Sequence, residues 1–278
     1  MNKFAGLAIK TLMGVAAGSM IVSSASAADL SMPEPVVEAS VTPNWDLAFG
    51  VAAVTNYVFR GITQSKNNPA VQGYAELQAF DWVYAGVWMS SVDFSTRYGL
   101  SDPSAEVDIY GGIRHSWDWF TLDVGGLYYW YPGEKGPARE TDYWEIFAKP
   151  SFTFGGLTLG PTIYWTSDFI NTKANATYLS GVAKYSFAVD TMPDLGFYVS
   201  GEFGKQWVER TRFNAGIDYL TWNAGGGVTY KAATLDLRYS STDMKKRECT
   251  PAGFGLKNWC GDLFVAKLAF DTSFNKLK

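Results

Sequence analysis

Histidine is almost missing from this chain, which has His115 alone among its 278 residues, and cysteine is nearly as scarce, with only Cys249 and Cys260. One imidazole beside two thiols argues against a cysteine–histidine metal pair, and no Ser–His spacing points to an activated nucleophile. His115 sits where an interfacial structural role suits it better than general-base work. Basic charge is also short, with 23 Lys and Arg against 27 Asp and Glu. No basic patch or like-charge tail is present, which excludes nucleic acid as a partner. Beyond the first 27 residues no run of 18 apolar residues occurs, so no transmembrane helix is expected. Gly225-Gly226-Gly227 is not followed by Lys-Ser/Thr, so it is no phosphate loop; it predicts a bend or a small-residue packing site inside a strand. No cofactor is expected, and no enzyme.

What is present begins with an export signal. Met1-Asn2-Lys3 and Lys10 form a basic start, an apolar stretch runs from Leu12 to Val22, and Ala25-Ser26-Ala27 supplies a cleavage site. Residues 1–27 are therefore expected to be a signal peptide. Lys3 and Lys10 leave with it, so 23 less two gives 21 basic residues against 27 acidic ones in the mature chain. In an exported chain Cys249 and Cys260 are expected to form a disulfide stapling one loop. Residues 28–44, Pro-spaced and acidic, read as a flexible periplasmic leader, leaving 45–278 for one β domain.

Aromatics make up 16% of the chain and helix-period segments are hard to find, a β composition. From Trp45 onward apolar and polar residues alternate with period 2. Leu47, Phe49, Val51, Ala53, Tyr57 and Phe59 share one face of a first segment, with Asp46, Asn56 and Arg60 on the other. Similar segments recur at 70–80, 82–92, 104–116, 119–131, 142–154, 157–167, 176–188, 194–207, 213–230, 233–243 and 261–274. With 45–60 they number about twelve. Tight connections such as Trp117-Asp118-Trp119 alternate with longer polar ones, only Val208–Arg212 being short for its class. That asymmetry belongs to membrane barrels and places both termini at the short-turn rim and the cysteine loop at the other.

Period 2 alone does not say which face points inward. The segments run to about ten residues or more, the length of a tilted transmembrane strand, and Trp and Tyr gather at their ends, as interfacial belts do. The expected fold is thus an all-β, transmembrane, antiparallel up-and-down barrel with lipid as its outer partner. Arg or Lys facing lipid near the midplane would cost about 2–4 kcal/mol each. The charged face must therefore line the lumen: Arg60, Glu106, Asp108, Arg114, Asp123, Glu145, Lys149, Lys184, Glu202, Asp236, Arg238 and Lys267.

The stretch Thr55-Asn56-Tyr57-Val58-Phe59-Arg60-Gly61-Ile62-Thr63-Gln64-Ser65, continued by Pro69-Ala70-Val71-Gln72-Gly73, resembles the opening signature of the TorF family of candidate outer-membrane porins. The resemblance implies an outer-membrane barrel and no defined substrate. The chain departs from a simple aromatic terminus, since Asn275-Lys276-Leu277-Lys278 follows Phe274. Within the motif, Gly61 permits a turn, and Arg60 either lines the mouth or pairs with a nearby carboxylate. The expected function is passive diffusion of small hydrophilic solutes. The alternative is a non-conducting structural or surface-interaction barrel acting through its outer loops, the stapled cysteine loop above all.

Overall fold

The computed structural model describes residues 45–94, 101–135, 140–245, 249 and 259–277. The expected signal peptide and leader lie outside the described residues. Fourteen strands occur among them: β1 (Trp45–Val54), β2 (Val58–Phe59), β3 (Ile62–Thr63), β4 (Ala70–Ala79), β5 (Val83–Ser90), β6 (Glu106–Trp117), β7 (Phe120–Trp130), β8 (Tyr143–Phe154), β9 (Leu157–Thr166), β10 (Ala176–Val189), β11 (Met192–Val208), β12 (Tyr219–Tyr230), β13 (Ala233–Thr242) and β14 (Leu263–Ser273). β1 pairs antiparallel with both β4 and β14, which closes twelve of them into a barrel; β2 and β3 form a separate small hairpin. Closure leaves no unpaired sheet edge, the condition for strands to cross hydrocarbon.

The tight connections fall on one rim, several of them with residues at positive φ (Phe80, Asp81, Asp118, Gly155 and Lys231) that match the hand of two-residue hairpin turns. Among the described residues, the longer connections (55–69, 167–175 and 209–218) leave from the other rim. Two expectations are corrected here. The ninth connection is not short, because β11 ends at Val208 and β12 begins only at Tyr219. The first strand ends at Val54, not at residue 60, so the Tyr57, Phe59 and Arg60 side chains are not placed by its alternation.

The two surfaces of the barrel are inverted relative to a soluble protein. Outward positions are apolar and exposed, among them Val124, Ile146, Leu237 and Phe270, while Glu76, Glu145, Lys184, Glu202 and Arg238 are buried inside. A core of buried ionic groups under an apolar coat suits an apolar solvent outside. Aromatics gather towards the rims. His115 stacks on Trp82 with centroids 3.9 Å apart and meets Trp117 edge-on, and Trp119 stacks on Phe152 and Phe154. The glycine run of β12 is a packing site: a Cβ on Gly227 would lie 2.5 Å from the Tyr198 hydroxyl, which crosses it to reach Asp236.

Candidate functional site: a hairpin seated in the barrel

The chain between β1 and β4 folds into the barrel. Val58 pairs with Thr63 and Phe59 with Ile62, leaving Arg60 and Gly61 as a two-residue tip, both at positive φ (45° and 80°). Glycine adopts that region freely, and Arg60 is strained there by about 1–3 kcal/mol unless its contacts hold it. A side chain on Gly61 would collide with Thr242 and lie 2.6 Å from Thr221 Oγ1, so the tip also abuts the wall at β12 and β13. The base is knit by its own polar residues. Thr63 Oγ1 donates to Asn56 Oδ1 (2.5 Å), the Tyr57 amide to Ser65 Oγ (2.9 Å), and Ser65 Oγ to the Asn68 carbonyl (2.6 Å). Tyr57 is fully buried and its hydroxyl donates to Glu106 Oε1 at 2.6 Å. Burial, with Glu106 and Asp108 nearby, holds the Tyr57 phenol well above its ordinary pKa, so it remains a donor.

Arg60 crosses to the opposite wall and is 1% exposed. Its Nη1 and Nη2 donate to Glu145 Oε1 (2.9 Å) and Oε2 (2.8 Å) on β8, and Nη1 also donates to Gln206 Oε1 (2.9 Å) on β11. Its guanidinium lies 4.9 Å from the Tyr164 ring on β9, 4.4 Å from Tyr178 on β10 and 4.5 Å from Phe59. In the closed strand order β9 and β10 stand diametrically opposite the β1–β4 seam from which the hairpin springs. The hairpin therefore spans the full bore near the long-loop rim.

A second segment clips it from outside. Cys249 and Cys260 are disulfide-bonded, with Cα atoms 5.9 Å apart. Cys260 bridges Ile62, and the Thr63 amide donates to the Trp259 carbonyl (2.9 Å). Cys249, Trp259 and Cys260 are buried with Ile62, Tyr219 and Met244. The staple thus packs on the hairpin, and its cysteines are no exposed recognition surface. Replacing both cysteines by serine is expected to lower hydrogen-exchange protection at the Thr63 amide by roughly tenfold, equivalent to about 1.4 kcal/mol. Unchanged protection there would detach the staple from the hairpin.

The other charges expected on the inner face form two further clusters. Arg114 bridges Asp123 and Glu76, both at 3.2 Å, with Tyr84 donating to Asp123 at 2.6 Å. Arg238 binds Asp236 (2.9 Å), Asn223 Oδ1 (2.7 Å) and Ser200 Oγ (2.9 Å), while Tyr178 and Asn223 donate to Glu202. Lys149 lies over Phe147 and Lys184 over Tyr198. Lys267, half-buried, stands opposite Asp236 in the β13–β14 register. Both Asp108 oxygens and Glu76 Oε2 are buried without a hydrogen-bond donor. Among the described residues no cluster of His, Cys, Asp or Glu could hold a metal ion.

Sequence reasoning missed Glu76, Gln206 and the inward row of tyrosines. Strand parity contained them, since Tyr129 shares the phase of Asp123, Tyr143 that of Glu145, and Tyr198 that of Glu202.

A family model described as a bacterial protein of unknown function (Gcw_chp) matches residues 38–269; that description does not carry the TorF name suggested by the motif. No curated protein matches the chain. Among solved structures, the COG4313 outer membrane channel from Pseudomonas putida F1 is similar at 12% identity and TM-score 0.48, over 86% of this chain and 100% of that one. OmpTdeltaL8, a loop-deletion mutant of an outer membrane protein of Vibrio cholerae, aligns at 12% identity and TM-score 0.39, over 82% and 99%. LpxR from Salmonella typhimurium aligns at 7% identity and TM-score 0.42, over 81% and 99%.

Proposed function

The chain belongs to the Gcw_chp family of bacterial proteins of unknown function, and we propose that it is an exported outer-membrane channel of the TorF porin kind. Small hydrophilic solutes diffuse through its lumen past the 55–69 hairpin. One observation carries this reading: an apolar barrel encloses an inner face of ion pairs, and a discrete segment enters the bore. A soluble barrel has no use for that inversion. A purely structural barrel could fill its lumen with wall side chains, as eight-stranded ones do. Here a loop anchored at one seam and clipped by a disulfide is added to the inward tyrosines and ion pairs of the wall at one level of the bore, which is how a constriction is built.

The seated hairpin also favours a second reading, a non-conducting barrel whose hairpin is a permanent part of the core. Planar-bilayer recording separates the two. The pure, folded protein is expected to give small, discrete current steps, and a protein shown folded by its heat-dependent gel migration yet electrically silent would favour the second reading.

A further inference from the structure

We propose that the recess formed by Glu145, Gln206, Tyr164 and Tyr178 is a lumenal binding site for solutes bearing a guanidinium group, with Arg60 as its built-in competitor. The proposal rests on the channel reading and names the class of solute that channel would favour.

The recess belongs to the wall. Its four residues come from β8, β11, β9 and β10, so it persists when the hairpin leaves. Its acceptors are oriented by groups other than Arg60. The Tyr129 hydroxyl donates to Glu145 Oε2 at 2.9 Å. Gln206 Nε2 donates to the Thr177 and Trp207 carbonyls, both at 3.2 Å, which turns Oε1 towards the lumen. Tyr178 is held by its bond to Glu202 at 2.8 Å. A planar fork that meets a carboxylate two-pronged, adds an amide oxygen and lies against two aromatic rings is guanidinium recognition, which an ammonium point charge does not reproduce.

Chemical rescue tests the site. In Arg60→Ala, millimolar guanidinium chloride is expected to restore part of the lost thermal stability and to block the channel current, where equal sodium chloride or urea does neither. Half-maximal effect in the millimolar range suits so small a ligand. Arg60→Ala/Glu145→Gln should lose both responses. Rescue of stability in a barrel that stays silent would keep the site and overturn the channel reading. A conducting variant on which guanidinium acts no differently from sodium would overturn the site alone. Should Arg60→Ala fail to fold, liposome swelling with the wild-type protein decides instead. L-arginine is expected to enter severalfold faster than L-citrulline, which has the same shape with a neutral urea head; equal rates would overturn the site, and entry of neither would overturn the channel.

Discussion

Replacing Arg60 with alanine is expected to cost about 3–5 kcal/mol of stability and to raise the current through the barrel severalfold. The reason lies in what remains. Glu145 is 1% exposed and keeps only the Tyr129 hydroxyl once its bidentate partner has gone, and an uncompensated buried carboxylate is costly. The strained backbone at Arg60 loses the side-chain contacts that tied it to β8–β11, leaving the tip held only by the staple, the Tyr57–Glu106 bond and the wall at β12 and β13. Arg60→Lys should recover only part of the loss, because a single ammonium does not reproduce the fork. Arg60→Ala/Glu145→Gln should be more stable than Arg60→Ala, since no charge is stranded, while remaining equally conductive. Urea unfolding in vesicles and bilayer recordings on the same preparations measure both effects. If Arg60→Ala loses stability without gaining current, the hairpin is core and not constriction.

Placing arginine on the outer face tests the membrane itself. Leu237, at the middle of β13 between Gly226 of β12 and Ala266 of β14, points outward and is 59% exposed. Leu237→Arg is expected to destabilise the barrel by about 2–4 kcal/mol in lipid, whereas Val83→Arg, at the tight-turn end of β5, should cost only about 0–1 kcal/mol. A protein whose outer surface met water would show the opposite, since charge at an exposed apolar position is neutral or helpful there. Equal effects at the two depths would remove the case for a spanning orientation.

Much of the architecture was legible in the sequence because one rule governs every spanning strand. Alternate residues face opposite solvents, so Asp123 and Val124, or Asp236 and Leu237, declare their sides as neighbours. Turn lengths then set the two rims. The hairpin was not legible by that rule. Tyr57 and Phe59 continue the phase of Val51 and Ala53, yet Tyr57 is buried inside, because β1 stops at Val54 and the alternation beyond it belongs to a different sheet. Nothing in local periodicity separates a strand that continues from one that turns inward. The signal lay in composition: Asn56 and Ser65 are poor candidates for a lipid-facing or extended strand and good ones for a side-chain-bonded loop. The motif that carries the family resemblance is thus the segment that enters the bore. The partner of Arg60 was equally out of reach, since Glu145 lies across the barrel and only closure brings the two together.

The central proposal is that the 55–69 segment constricts the lumen, and replacing that segment tests it most directly. Val54 and Ala70 are paired neighbours on β1 and β4, so a short Asn-Gly-type turn can join the strands in place of residues 55–69. Single-channel conductance of this shortened protein, shown by its gel migration to be folded, should exceed that of the wild type severalfold and lose its preference for arginine over citrulline less than its limit on solute size. A folded, shortened barrel passing no more current than the wild type would contradict the account.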